Sequence, residues 1–390
     1  MTSPIDQIRR YHPELTAVRQ DIHANPELGL EEHRTADLVA RKLEEWGIEV
    51  HRGVGTTGVV GVLRSGNGEA TIGLRADMDA LPIQEANDIA YRSRNAGKMH
   101  ACGHDGHTTM LLGAARYLAE TRNFNGTVNF IFQPGEEGVG GALAMLQDDL
   151  FKRFPCNAVF GMHNRPGMPV GKYGIAPGTA MAGGGFFDIA ITGKGAHGAR
   201  PEESIDPVLV ACHIGASLQS IVSRNVPSRE TVVLSVTRIL SGDAYNVIPQ
   251  TATLGGTVRA MKREMLTLVE QSMRRVVSGV AAGFGATAEV DFRLIFAPLV
   301  NHEAEMHAIA DTAAELVGDD NVNRAQAPAP ASEDFSFMLE QVPGAYINLG
   351  NGDCAPVHNH LYNFNDAAIP FGSALYARLV ERQLPRGTDN

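Results

Sequence analysis

The segment MHACGHDGH, residues 99–107, places three histidines, one cysteine and one aspartate within nine positions. Cysteine thiolates and histidine imidazoles are among the commonest protein ligands of first-row transition metals. In an extended segment, His100, Cys102 and His104 would project from one face because successive side chains alternate. A polar loop with a chance cluster is the alternative, but the residue types favour a bound metal.

The stretches around this segment alternate between strand-like and helical patterns, which predicts an α/β domain. Helices are predicted over 106–120, with Asp105 as the N-cap, and over 303–317. The predicted strands of this domain are Val59–Leu63, Thr71–Ala76, Val128–Phe132, Ala158–Met162 and Ala345–Leu349.

The pattern changes at about residue 184, where strands and helices follow one another in the order βαββαβ. The predicted strands are 186–192, 231–239, 252–259 and 287–293, and the predicted helices are 207–222 and 263–283. This order is that of the ferredoxin-like motif. We therefore predict an inserted domain over 184–293 and a discontinuous domain formed by 1–183 and 294–390.

Composition limits the classes of protein to which the chain can belong. Its 390 residues suffice for two domains with hydrophobic cores, and its net charge of −11 argues against a nucleic-acid partner. Four cysteines are few for a disulfide scaffold and show no zinc-finger spacing. The first ten residues lack the apolar core of a signal peptide, and no apolar run reaches the length of a membrane span. We expect a cytoplasmic protein that binds neither membrane nor nucleic acid.

Acidic and histidine side chains follow several predicted strands at the points where those strands end. They are Asp77, Asp79, Glu136, Glu137, His163 and, after a short loop, His358. Ligands of open α/β sheets bind beyond the carboxyl ends of the strands. Singly, each residue has a structural alternative, as part of a solvated acidic turn, a helix cap or a structural histidine. Together they predict a metallohydrolase.

The chemistry of a metallohydrolase accounts for these residue types. Divalent cations polarise a carbonyl and lower the pKa of water to roughly 7. A carboxylate that does not bind the metal must then move a proton from the water to the leaving amine. Adjacent glutamates, Glu136 and Glu137, can divide the roles of base and ligand. The Gly-x-Ser-x-Gly motif of serine hydrolases is absent from the sequence, whereas Cys102 as a nucleophile beside a histidine stays an alternative.

Four motifs resemble the hippurate hydrolase and auxin-conjugate amidohydrolase group of the aminoacylase/carboxypeptidase superfamily of metallopeptidases. They are RADMDALP (75–82), MHACGHDGH (99–107), QPGEE (133–137) and GMHN (161–164). Five shorter matches extend the resemblance over nearly the whole chain: Asp21–Gly29, Gly195–Pro201, Asn246–Pro249, Ser332–Phe335 and His358-Asn359.

The resemblance implies a zinc-peptidase-like catalytic domain with a mixed sheet and an inserted lid domain that dimerises. It also implies a site for two divalent ions, of zinc, manganese, cobalt or nickel. The ligands carried over by motif are Cys102, His104, Glu137, His163 and His358. Glu136 would be the general base and acid, and Cys102 would take the bridging place that a carboxylate fills in related peptidases.

The residues around the ligands receive supporting roles from the same resemblance. Asp77 and Asp79 would hydrogen-bond to ligands rather than bind metal. His100 and His107 would orient ligands or stabilise the fold. One departure concerns His360, which stands where the family often has proline, so that His358 and His360 compete for one ligand position. The alignment through His358-Asn359 favours His358.

In the lid, His197 matches a histidine that, in relatives, reaches the active site of a neighbouring subunit and stabilises the oxyanion. Asn246 and Arg259 are candidates for binding the substrate carboxylate, although a structural role for each is equally open. A second departure is Glu202, which occupies a position where many members have another lid histidine. Substrate preference, but not hydrolysis itself, depends on that position.

The residues and the resemblance together predict a metal-dependent amidohydrolase that cleaves the amide bond of N-acyl amino acids, and the resemblance implies a homodimer or a dimer-based homo-oligomer. Two alternatives remain open on the same scaffold. One is a dipeptidase or carboxypeptidase-like enzyme. The other is a non-catalytic protein that binds metal or ligand, against which the Glu136-Glu137 pair argues because binding alone needs no proton transfer.

Overall fold

The computed structural model describes residues 3–386, which fall into two compact units. The first unit comprises the described residues up to Ala180, Val300–Ala327 and the residues from Asp334 onward. The second comprises Met181–Leu299 and Pro328–Glu333. The main segment of the second unit, Met181–Leu299, begins three residues before and ends six residues after the range 184–293. The short segment Pro328–Glu333 also belongs to this unit, which the sequence pattern does not indicate.

The helices and strands are numbered along the chain. The helices are Pro4–Ile8 (α1), His12–Ala24 (α2), His33–Glu45 (α3), His104–Thr121 (α4), Gly141–Gln147 (α5), Leu150–Arg153 (α6), Pro207–Ser220 (α7), Arg263–Gly283 (α8), Glu303–Val317 (α9), Ser336–Leu339 (α10) and Ile369–Gln383 (α11). The strands are Glu49–Val54 (β1), Gly58–Ser65 (β2), Thr71–Asp77 (β3), Gly126–Gln133 (β4), Ala158–Arg165 (β5), Tyr173–Gly174 (β6), Thr179–Met181 (β7), Gly183–Thr192 (β8), Ala196–His197 (β9), Val232–Leu240 (β10), Val247–Ile248 (β11), Thr251–Ala260 (β12), Thr287–Phe296 (β13), Leu299–Val300 (β14), Val322–Asn323 (β15) and Gly344–Gly350 (β16).

An eight-stranded mixed sheet in the order β1-β2-β4-β3-β5-β16-β6-β15 forms the centre of the first unit. Its four middle strands run parallel, so their carboxyl ends share one edge. The register places Asp77 opposite Gln133 at that edge. Parallel strands covered on both faces are apolar throughout, and every residue of β4 is buried. The predicted mixed α/β architecture is confirmed.

Helix α4 is the central helix of the first unit. The predicted stripe of Met110, Leu111, Ala114, Ala115 and Leu118 is fully buried, but so is almost every other residue of the helix. A helix that is buried on all sides lies inside the core rather than on the surface of a domain. It packs against α2 and α11, which fixes the position of the MHACGHDGH segment at its amino end.

Helix α4 begins at His104, two residues before its predicted start. Gly103 is its N-cap, in a left-handed conformation with φ of 103°. Asp105 therefore lies in the first turn and accepts no capping hydrogen bond, so its prediction as N-cap is wrong. Its carboxylate instead faces α2, where its Oδ2 atom lies 2.8 Å from Nδ1 of His23 and 3.4 Å from Nη1 of Arg19. No local sequence pattern indicates this contact, because His23 and Asp105 are 82 positions apart along the chain.

His23 is the cationic centre of this buried cluster. Its Nε2 atom lies 3.2 Å from Oε1 of Glu85, and its side chain has no solvent exposure. Burial alone would lower the pKa of His23, but hydrogen bonds to Asp105 and Glu85 raise that pKa to about 9. His23 is therefore charged in the folded chain at neutral pH and helps to anchor the amino end of α4.

We expect the stability that His23 confers to disappear at alkaline pH. Because its folded-state pKa is raised above about 6.5, the contribution is complete below pH ~6.5 and is lost as the pH rises through about 9. Urea unfolding of wild type and His23→Gln from pH 6 to 10 should show their difference in free energy falling by on the order of 3 kcal/mol. Parallel stability curves for the two proteins would exclude this role.

The second unit contains a four-stranded antiparallel sheet in the order β10-β12-β8-β13. Strand β8 alternates between buried and more exposed positions, with Phe187, Ile189 and Ile191 buried. These side chains join a hydrophobic core to which α7 and α8 contribute their buried faces. Along the chain the order of these elements is βαββαβ. Within residues 3–386, no helix is both long and apolar enough to cross a membrane.

Candidate metal centre and active site

The predicted metal ligands come together at the carboxyl edge of the central sheet. Among the sets of donor atoms that lie within 4.8 Å of one another, three consist only of predicted metal ligands and Glu136. The sets are Cys102 with His104 and His163, Cys102 with Glu137 and His358, and His104 with Glu136 and Glu137. Cys102 belongs to two sets, and its Sγ atom lies 3.3 Å from Nε2 of His163. This shared position is the one that a bridging ligand between two ions requires.

His104 has the hydrogen-bonding pattern of a metal ligand. Its Nδ1 atom lies 2.9 Å from the carbonyl oxygen of Asp79 and 3.0 Å from Oδ1 of the same residue, so Nδ1 carries the proton. Its Nε2 atom is buried and has no hydrogen-bond partner. Most buried polar side-chain atoms are paired, and a carboxylate behind the far nitrogen is typical of metal-binding histidines. The residues present therefore fit a metal ion.

His163 is held in the same tautomeric form. Its Nδ1 atom donates to the carbonyl oxygen of Asn164 at 2.6 Å, which leaves the Nε2 lone pair facing Cys102. Burial, reinforced by the neighbouring His107, lowers the pKa of His163 to about 3. The ring is therefore neutral, which is the form that binds metal.

His358 reaches the cluster from the loop after β16. Its Nε2 atom lies 3.2 Å from Oε1 of Glu137, and its backbone N–H donates to the carbonyl of Ala101 at 2.7 Å. The residue has a φ of 64°, a left-handed conformation that costs energy for any side chain except glycine. His360 belongs to none of the donor sets found within residues 3–386. The geometry thus places His358, and not His360, among the donors.

Asp77 and His107 form a close buried pair beside His104, and donor atoms of these three residues also lie within 4.8 Å of one another. Oδ1 of Asp77 lies 2.6 Å from Nδ1 of His107, and Oδ2 accepts a hydrogen bond from Arg75 at 2.8 Å. Nε2 of His107 accepts the backbone N–H of Asn164 at 3.0 Å, so both ring nitrogens are used. Burial would raise the pKa of Asp77, but His104, Arg75 and His107 hold it well below its usual range.

His100 belongs to none of the donor sets found in the described part of the chain. The segment that carries His100 is not an extended strand, because α4 begins four residues later. The centroid of the His100 ring lies 6.3 Å from that of the His23 ring. Burial lowers the pKa of His100 to about 4, so the ring is neutral, and neither nitrogen has a hydrogen-bond partner. The argument that His100, Cys102 and His104 share one face is therefore wrong.

Glu136 lies beside the ligands and is 6% exposed. Its Oε1 atom is 3.4 Å from the backbone nitrogen of Asp334, a weak hydrogen bond. The Asp334 carboxylate is fixed in turn by Gln133 at 2.7 Å and by the N–H of Ala142 at 2.9 Å. Sequence reasoning missed Asp334 as a neighbour of Glu136, because the two residues are 198 positions apart.

Glu137 is oriented through its backbone. Its N–H donates to Oδ2 of Asp79 at 2.9 Å, while Oδ1 of the same carboxylate contacts His104. One aspartate thus holds two of the predicted ligands from behind, as expected of groups that orient metal ligands.

Three further predicted site residues belong to the second unit. His197 in β9 is paired with β11, and the N–H of Gly198 donates to the carbonyl of Asn246 at 2.7 Å, so His197 and Asn246 are neighbours. Arg259 lies in β12, where its guanidinium donates to the hydroxyl of Thr257 at 2.7 Å. Burial lowers the pKa of Arg259. Glu202 is exposed.

The sheet-edge cluster of thiol, imidazole and carboxylate donors, with a further carboxylate beside it, defines a metal-dependent hydrolase. Residues 73–382 match the model of peptidase family M20/M25/M40, and the chain belongs to this family. The resemblance drawn from the motifs is thereby confirmed.

Two relatives and one solved structure extend this result. The chain is 42% identical over 380 residues to hippurate hydrolase of Campylobacter jejuni, and the aligned region covers 97% of this chain and 99% of the relative. It is 41% identical over 380 residues to an IAA-amino acid hydrolase of Arabidopsis thaliana, and the aligned region covers 95% of this chain and 85% of the relative. A crystal structure of a dinuclear metal binding M20 peptidase from Bacillus subtilis superposes with a TM-score of 0.84 at 35% identity, covering 96% and 99%.

Proposed function

We propose that the chain is a metal-dependent amidohydrolase that cleaves the amide bond of N-acyl amino acids into a carboxylic acid and an amino acid. The convergence of five donor side chains with Glu136 at one sheet edge carries this proposal. The hippurate hydrolase and IAA-amino acid hydrolase relatives support the substrate class.

In this proposal two divalent ions, of zinc, manganese, cobalt or nickel, are held by Cys102, His104, Glu137, His163 and His358. When bound, such ions polarise the scissile carbonyl and make water acidic enough to lose a proton near neutral pH. A soft thiolate and imidazole nitrogens suit these metals better than magnesium or calcium.

Glu136 performs the proton transfers. Its carboxylate lies among the donors, accepts the proton of the attacking water and delivers it to the departing nitrogen. Its low exposure limits competition from bulk solvent. Asp79 keeps His104 in a fixed tautomer, and Asp77 does the same for the neighbouring His107.

We further propose that residues 184–293 form a ferredoxin-like lid that joins two chains into a homodimer. The βαββαβ order and the antiparallel sheet β10-β12-β8-β13 support this assignment. His197 would donate to the oxyanion in the partner's site, and Asn246 and Arg259 would bind the substrate carboxylate. The four unpaired cysteines support a cytoplasmic location.

Complementation tests the role of His197 across subunits. Glu136→Ala and His197→Ala chains should each be inactive alone, and mixing them should restore part of the activity, because one site of the hybrid then has both residues intact. Subunit exchange is verified with differently tagged chains. Confirmed exchange without recovery would show that each site is complete within one chain.

A substrate panel on metal-analysed protein tests the proposed function. N-benzoyl and N-acetyl amino acids should be hydrolysed with higher kcat/KM than dipeptides with the same carboxy-terminal residue. Faster cleavage of the dipeptides would make the chain a dipeptidase instead. Tight binding of product-like ligands without turnover of any compound would make it a binding protein.

A further inference from the structure

We propose that Asn164 and Tyr362 are positioning residues that set the spacing of Cys102 and His163, and thereby the affinity of the chain for its metal ions. The proposal rests on the function proposed above, because it assumes that Cys102 and His163 bind metal. Asn164 and Tyr362 are not among the predicted ligands, and both contact the segments that carry those ligands.

Asn164 connects two predicted ligands directly. Its side-chain Nδ2 donates to the carbonyl oxygen of Cys102 at 2.6 Å, and its own carbonyl accepts the Nδ1 proton of His163 at 2.6 Å. Nδ2 and the backbone nitrogen each lie 3.0 Å from Nε2 of His107. One residue therefore fixes the backbone that carries the thiol and the ring that faces it.

Tyr362 fixes the orientation of the Asn164 amide. Its hydroxyl donates to Oδ1 of Asn164 at 2.7 Å, and both residues are almost completely buried. If the amide were reversed, its oxygen would face two other acceptors, the carbonyl of Cys102 and Nε2 of His107. The reversed orientation is therefore unfavourable. Removing the tyrosine hydroxyl would leave Oδ1 a buried acceptor without a donor, a penalty that the Asn164 side chain can relieve only by shifting from its place beside Cys102.

The turn between Cys102 and His104 is in contact with this pair. A Cβ atom on Gly103 would lie 2.2 Å from Nδ2 of Asn164 and 2.5 Å from the hydroxyl of Tyr362. The left-handed φ of 103° at Gly103 also excludes most other residues. The backbone that separates two predicted ligands is thus shaped by the Asn164–Tyr362 pair.

The third ligand-bearing segment joins at the same place. The N–H of His358 donates to the carbonyl of Ala101 at 2.7 Å, and the N–H of Tyr362 donates to the carbonyl of Asn359 at 2.9 Å. The loop that carries His358 therefore also carries Tyr362. All of these bonds exist between protein groups alone, so the pair can arrange the ligands before any ion arrives, which reduces the cost of binding.

Binding of Co²⁺ to the full chain tests the proposal, with Tyr362→Phe as the main variant. We expect the affinity, measured by competition with a chromophoric chelator, to fall about 10- to 100-fold. The thiolate-to-cobalt charge-transfer band should shift or weaken, because the Cys102 sulfur no longer sits at its original distance. Asn164→Ser, which is too short to reach Cys102, should give the same two changes if the tyrosine variant folds poorly.

Tyr173→Phe is the matched control. Tyr173 is equally buried and its hydroxyl donates to the carbonyl of Phe371 at 3.0 Å, so the variant loses a similar bond outside the donor cluster. It should keep wild-type affinity and spectrum. Wild-type affinity and an unchanged band in Tyr362→Phe would overturn the inference, whereas a wild-type chain that binds no Co²⁺ would overturn the proposed function itself.

Discussion

Glu136→Gln should reduce kcat by about 10²- to 10⁴-fold while the metal content stays at the wild-type level. Glutamine has the shape of glutamate but cannot accept the proton of the attacking water. The weak bond from Asp334 N–H can still form, since the amide oxygen is also an acceptor. Because the lost interaction belongs to the transition state, kcat and kcat/KM should fall together.

Glu31→Gln is a suitable control for this substitution. Glu31 is exposed and makes a long ion pair of 3.5 Å with Lys98, so its neutralisation should leave turnover unchanged. Both variants are measured by steady-state kinetics and by metal analysis of the same samples. Wild-type turnover by Glu136→Gln would remove Glu136 from the mechanism, and loss of metal from it would assign Glu136 to the ligands.

Cys102→Ser should lower the affinity for metal by more than the roughly 10- to 100-fold that a residue supporting a ligand contributes. Cys102 is shared by two donor sets, so its loss should affect both ions, and activity should disappear with them. Burial, reinforced by Glu137, raises the pKa of the Cys102 thiol. The metal-free wild type must therefore release a proton on binding, and its affinity should increase with pH.

Cys156→Ser is the corresponding control. Cys156 is also largely buried, and its sulfur contacts Asn129 at 3.4 Å in a part of the sheet outside the donor sets. Titration of both variants with zinc, followed by calorimetry at two pH values, measures affinity and proton release. Retention of two tightly bound ions by Cys102→Ser would exclude the bridging thiolate.

The parts of the molecule that follow from local sequence were predictable. Buried parallel strands such as β4 appear as continuous apolar runs, so the central sheet could be recognised from the sequence pattern. Strand β1 was missed because it is an edge strand with mostly exposed polar residues, so it carries little of the pattern that marks a strand.

The site was predictable in its composition but not in its hydrogen bonding. The motifs supplied the predicted donors, and the structure places these side chains together at one sheet edge. The capping role expected of Asp105 failed because Gly103 begins the helix and the charges of His23 and Arg19 attract the carboxylate. The neighbours Asp334 and Tyr362 depend on contacts between segments about 200 residues apart, which no local pattern encodes.

The dependence of hydrolysis on metal content tests the central claim most directly. Protein stripped by a chelator is assayed with N-benzoylglycine and then titrated with zinc, manganese, cobalt or nickel while bound metal is quantified. We expect negligible turnover by the stripped chain and recovery that is complete only near two ions per chain. Full turnover of N-benzoylglycine by the metal-free protein would contradict the proposed mechanism.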